Sequence, residues 1–126
     1  MKNIKYFESF RGSNLELKNS TYIIDDENIA VIKVNSFEDM KTLGEDTSWS
    51  ASVSEYQYKN YSRNGNYFVV VLCFKEEGKN SKFATTIENG EIWKPGFYNK
   101  GDAQVTKETV NKILSKYGHS ISEITA

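Results

Sequence analysis

Four residue types are almost missing from this chain, which holds one cysteine, one histidine, one proline and two arginines. A lone cysteine, Cys73, makes no internal disulfide, and with His119 as the only histidine no cysteine/histidine zinc set can be assembled. The same scarcity works against Ser-His-Asp and Cys-His nucleophile systems. His119 lies just past a helical pattern near the C-terminus, and nothing in the sequence sets it beside Ser50 or Cys73. Cys73 sits inside the most apolar run, so a buried, inert thiol with a raised pKa is expected. Two arginines, Arg11 and Arg63, against fourteen lysines leave no dense bidentate phosphate clamp. Glycine-rich phosphate loops and dinucleotide fingerprints are absent. No apolar run reaches the length of a membrane span, and Met1–Phe7 carries no signal-type apolar region, so a cytosolic location is expected.

Charge is also scarce in net terms. The formal total is −1. Residues 1–63 hold 8 Lys/Arg against 10 Asp/Glu, a balance of −2, and residues 64–126 hold 8 against 7, a balance of +1. Neither half forms a basic arm, which excludes a general nucleic-acid binder built on a broad positive face. The acids at Asp25-Asp26-Glu27, Glu38-Asp39, Glu45-Asp46 and Glu76-Glu77 fall at turns and helix starts, where carboxylates belong on structural grounds. No cofactor, metal site or catalytic residue is assigned.

Aromatics are what the chain has in supply: eight Tyr, seven Phe and two Trp in 126 residues. Large rings bury much area each, so they build a core from few side chains. Length and an ordinary polar balance point to one domain over residues 1–126. Ile4, Phe7 and Phe10, spaced by three, suggest a helical turn or two over residues 1–12. Tyr22–Ile24 and Ile29–Val34 read as strands of a hairpin, the second burying Ala30, Ile32 and Val34. Ser36 caps a short helix carrying Phe37, Met40 and Leu43, closed by Gly44. Residues 47–53 alternate with period two, as an extended or strand segment would. Ser54 opens a second short helix through Tyr61.

Tyr67–Phe74 is apolar on both faces and reads as a central strand covered on both sides. Lys82–Ile87 follows, then Asn89-Gly90, a pair suited to a type I′ hairpin turn into residues 91–94. Residues 96–104 look like an irregular connection, Thr106–Tyr117 a helix closed by Gly118, and the tail an edge strand or a frayed end. The expected fold class is α+β: a single domain with an antiparallel sheet of five or six strands, a meander over 67–94, and two or three packed helices.

One segment carries more aromatic and hydroxyl groups than a minimal fold needs. Thr47, Trp49, Ser50, Tyr56, Tyr58, Tyr61 and Arg63 form the candidate binding set, with Ser48 and Ser52 between them. Flat rings, hydroxyl donors and one arginine suit a small nucleotide, and the same groups suit a protein interface, where Trp, Tyr and Arg dominate binding energy. A third reading leaves Trp49 and Tyr56 as core, with the other tyrosines covering the sheet edge. An exposed aromatic patch would indicate a protein partner. A concave pocket of Trp49, tyrosine and Arg63 would indicate a nucleotide.

Two stretches carry a family likeness. Met1-Lys2-Asn3-Ile4-Lys5-Tyr6-Phe7-Glu8-Ser9-Phe10 resembles the K-x-I-K-x-F-E-x-F opening of many small tailed-phage proteins. Residues Ser36 to Ser50 resemble a second phage-protein pattern, in which a short helix and Gly lead to Thr-x-Trp-Cys, a Tyr-rich segment and an apolar strand. Here Ser50 stands in the place of the Cys, so thiol chemistry does not carry over. The likeness covers roughly residues 1–93. It implies a phage-borne accessory or anti-defence protein in the host cytosol, which binds and neutralises a host factor, either a defence protein or a nucleotide signal. A homo-oligomer is compatible with that reading. The alternatives are a small enzyme acting on a nucleotide or host protein through Ser50, and a structural virion-associated protein.

Overall fold

The computed structural model describes residues 16–126. Its organising element is strand β3 (Tyr67–Cys73), in which Phe68 to Cys73 are all buried. Side chains alternate across a strand, so a strand apolar on both sides needs a cover on each. β2 (Ile29–Val34) and β4 (Lys82–Glu88) flank it antiparallel, with Val34 opposite Phe68 and Tyr67 opposite Ile87. β1 (Thr21–Asp25) pairs with β2 on one side. On the other side, two short strands share the outer edge of β4. β5 (Glu91–Ile92) closes the hairpin, and β6 (Phe97–Asn99) pairs further along and carries β7 (Gln104–Val105). Among the described residues the sheet is seven-stranded and antiparallel throughout, in the order β1-β2-β3-β4-β6-β7 with β5 alongside β4. The α+β class holds, with a strand more than the expected range.

Two layers cover the sheet. Ala30, Ile32, Val34, Phe68, Val70, Leu72 and Ala84 face α1 (Phe37–Leu43), α2 (Glu55–Tyr61) and the turn between them, which contribute Met40, Leu43, Trp49, Ala51 and Tyr58. Ile29, Val31, Val69, Val71, Phe83, Ile87 and Phe97 face α3 (Lys107–Lys116) through Val110, Ile113 and Leu114. β2 is therefore buried on both faces, not only on the expected Ala30–Ile32–Val34 side. Each fully buried aliphatic side chain contributes roughly 1.5–3 kcal/mol.

The helices start where hydroxyl caps stand: Ser36 accepts from Asp39 N–H, Ser54 from Gln57 N–H and Thr106 from Thr109 N–H. Asn89 and Gly90 both take left-handed φ, 54° and 80°, as a type I′ turn requires. The expected extended run over 47–53 is instead a loop ending in one 3₁₀ turn, Ser50–Ser52. Its hydroxyls bond locally in place of a ladder: Thr47 Oγ1 donates to Gly44 O at 2.8 Å, and Ser52 Oγ to Trp49 O at 2.8 Å. Gly44 is required there, because a Cβ would stand 2.3 Å from that of Ser52. Residues 96–104, expected to be irregular, hold β6 and lead into β7. The tail neither frays nor adds a strand but folds as a 3₁₀ turn, Ile121–Ile124, that buries Ile124. The helical turn expected over residues 1–12 lies outside the described residues.

Asp39 has a second role besides its place in the first turn of α1. It is fully buried, and its carboxylate accepts from Lys18 N–H (2.7 Å), Asn19 N–H (2.9 Å) and Ser20 O–H (2.6 Å), pinning the segment before β1. Asp39→Ala strands these donors and is expected to cost about 3 kcal/mol in urea unfolding. A loss under about 1 kcal/mol would remove this anchor from the fold's stability.

The tail is held by His119, whose Nε2 lies 2.5 Å from Asp26 Oδ2 and whose Nδ1 lies 3.1 Å from Glu123 Oε1. The Asp26 bond, against opposing burial and with help from Glu123, raises the imidazole above its ordinary 6.5. Burial alone would raise Asp26, but bonds from His119, Ile29 N–H and Asn28 N–H bring it below its ordinary 3.8. The raised histidine stabilises fully below 6.5, and its contribution fades as pH rises through the folded value. The lowered aspartate stabilises fully above 3.8, fading as pH falls through its folded value. The stability difference between wild type and His119→Gln should therefore peak between these limits. Urea midpoints measured across pH check it, and a flat difference would rule the pair out.

Candidate functional site

The α1–α2 layer lies over β1 to β3 and leaves part of β4 and β6 uncovered on the same face. The opening is a groove of about 180 Å³. Trp49, Ser50 and Ala51 line it from the 3₁₀ turn, Tyr61 from α2, Phe68 from β3, Ala84, Thr86 and Glu88 from β4, and Trp93, Tyr98 and Asp102 from the far side. Trp93 stacks on Tyr98 with ring centres 5.1 Å apart and planes at 25°. Tyr61 meets Phe68 edge-on at 6.0 Å.

Buried bonds hold this arrangement. Trp49, 3% exposed, donates its indole N–H to Asn99 O at 2.8 Å, tying the turn to β6. The Asn99 side chain accepts from Gly101 N–H (2.9 Å) and Ala103 N–H (3.1 Å), which sets the loop bearing Asp102. Thr86 donates to Glu88 Oε2 at 2.9 Å. Trp93 N–H donates to Thr86 O at 2.9 Å, and Thr85 O–H to Gly96 O at 2.6 Å, bridging the gap between β5 and β6. Burial first, then the neighbouring Tyr61 and Asp102, pushes the Tyr98 phenol above its ordinary value.

Of the seven residues singled out in the sequence, the fold brings three to the groove: Trp49, Ser50 and Tyr61. Thr47 is spent on its turn, with Oγ1 donating to Gly44 O and accepting from Trp49 N–H. Tyr58 is core, 9% exposed and stacked on Phe68 at 5.6 Å. Tyr56, 74% exposed, lies on α2 outside the groove. Arg63 is exposed, bonds to Asn60 and does not line the groove either. The fold thus divides the expected set: α2 is amphipathic, so its tyrosines at 56, 58 and 61 do not all face one cavity. Trp93, Tyr98, Glu88 and Asp102 were not part of the expected set. Their available signal was a pair of aromatics flanking Pro95-Gly96, a turn that folds them together.

Among the described residues no cation lines the groove. Lys82 and Lys100, from the same edge of the sheet, are engaged by Asp46 at 2.7 and 2.9 Å. Partial burial would raise the Asp46 carboxyl, but the bonds from Lys82 and Lys100 bring it down to about 2. His119, held by Asp26 and Glu123, is not among the lining residues, so Ser50 has no imidazole beside it. The Cys73 thiol is buried, and burial with the nearby Glu76 charge pushes it up to about 12. Among the described residues no three His, Cys, Asp or Glu side chains are placed to hold a metal ion, and no helix is long and apolar enough to cross a membrane.

Comparisons with protein-family models, curated proteins and solved structures find no match to this chain. Trp49→Ala is expected to cost about 3–5 kcal/mol, since it empties a core position and breaks the bond to β6. Urea unfolding tests this, and a loss below about 1 kcal/mol would place Trp49 outside the core.

Proposed function

We propose that this chain is a non-enzymatic phage-type accessory or anti-defence protein that binds and neutralises a host protein through the aromatic groove, in the host cytosol. The observation that carries the reading is the groove itself, where Trp93, Tyr98, Tyr61 and Trp49 converge on a preformed concavity. Trp and Tyr in such pockets dominate protein–protein binding energy. Val53 (80%) and Tyr56 (74%), on the segment that follows Ser50, are exposed as well.

Size and charge favour a protein over a nucleotide signal. Pockets for whole small molecules run to roughly 300–1,000 Å³, whereas about 180 Å³ suits a single side chain. A phosphate needs a donor cation, and Arg63, Lys82 and Lys100 are outside the groove or engaged elsewhere. Ser50 has no imidazole beside it, because the one histidine is held by Asp26 and Glu123.

The test is recovery of a host protein on immobilised wild type and on the Tyr61→Ala/Trp93→Ala double variant, with the variant's fold checked by circular dichroism. Wild type is expected to retain a partner that the double variant loses. Equal retention would move the interface off the groove. In a thermal-shift screen, cyclic nucleotides and ADP-ribose species are expected to leave the melting temperature unchanged, and a clear shift would instead support the nucleotide version.

A further inference from the structure

Resting on the reading above, we infer that the groove receives the guanidinium of an arginine side chain presented by the partner protein. Two independent features converge on that chemistry. The groove is lined by aromatic side chains, and guanidinium, planar and weakly hydrated, stacks on aromatic faces and is attracted by their negative quadrupole. The lining is also anionic: Glu88 on β4 and Asp102 in the β6–β7 loop both border the cavity. Among the described residues neither carboxylate has a basic partner. Asp46 is the contrast, since two lysines already satisfy it.

The groove is also prepared for such a guest. Thr86 fixes one oxygen of Glu88 at 2.9 Å, which leaves Oε1 to accept from an incoming N–H. Asn99 fixes the loop that carries Asp102, which stands at a left-handed φ of 71°. Tyr61 and Tyr98, which also line the groove, carry hydroxyl oxygens able to accept further hydrogen bonds. An anion would meet carboxylates with no compensating cation among the described lining residues, and an aliphatic side chain would leave them without a partner. A lysine ammonium would meet the charge but lacks the flat face that stacks.

The two tryptophans give two indole N–H resonances, so proton–nitrogen NMR reads the groove directly through Trp93, assigned with Trp93→Phe. The probes are the acetylated, amidated tripeptide Gly-Arg-Gly, its citrulline counterpart of the same shape but no charge, its lysine counterpart, and AMP. The arginine peptide is expected to shift the Trp93 signal saturably with Kd near 1 mM, about the strength of a single side chain. Citrulline should bind at least about tenfold more weakly, with lysine between them. Glu88→Gln/Asp102→Asn should abolish the preference for arginine over citrulline while leaving both Trp signals dispersed.

Equal binding of arginine and citrulline would overturn the inference, as would a preference that survives the double substitution. In either case, loss of the host partner by the Tyr61→Ala/Trp93→Ala variant would still uphold the proposed function. No peptide shift at about 10 mM would also overturn it. AMP binding more tightly than the arginine peptide would overturn both readings.

Discussion

A strand that is apolar on both faces cannot be exposed on either, and β3 imposes that demand on everything around it. Phe68, Val70 and Leu72 look one way, and Val69, Val71 and Cys73 the other. The residues between β2 and β3 supply one cover, and those after β7 supply the second. Two of the covering helices have seven residues and the third ten, all too short to persist in isolation. Sheet and covers therefore form together. The polar contacts follow the same logic: Asp39 ties the segment before β1, and His119 the tail after α3, onto the sheet-and-helix body.

The groove arises because the two covers are unequal. On the Phe97 face, α3 and the tail reach across to β4 and β6. On the other face the helical layer ends at the groove, which Trp49 and Tyr61 line from its side. The bond from the Trp49 indole to Asn99 spans that boundary and makes one residue serve as both core and groove floor. Trp93, Tyr98 and the two carboxylates stand beyond it, on chain that folds back along β4. Concave shape and an aromatic and acidic lining all follow from where the helical layer ends.

Local pattern carried the reading of the fold far. Ser36 and Ser54 cap the helices expected of them, and Asn89-Gly90 makes its hairpin, because those signals act within a few residues. The failures have local causes too. From Thr47 to Ser52, alternation imitates a strand, but the hydroxyls bond neighbouring carbonyls and curl the chain. The strand at Phe97–Asn99 is three residues long and exists because β4 offers it an edge, which no local pattern announces. The site was legible only in half. Trp49, Ser50 and Tyr61 lie within one contiguous segment, whereas Trp93, Tyr98, Glu88 and Asp102 join them through tertiary pairing.

The borders of the sheet bear on how this molecule meets others. β1 carries a register shift between Tyr22 and Ile24, and the far border is β7, only two residues long. The outer side of β4 is divided between β5 and β6, and the backbone in the gap is already bonded through Trp93 N–H and the Thr85 hydroxyl. Short, bulged or internally satisfied borders are poor templates for an added strand, whether from an aggregating copy or a visiting peptide. Main-chain zippering, which accepts almost any sequence, is thereby discouraged at these borders. What is left for recognition is contact between side chains, where selectivity resides.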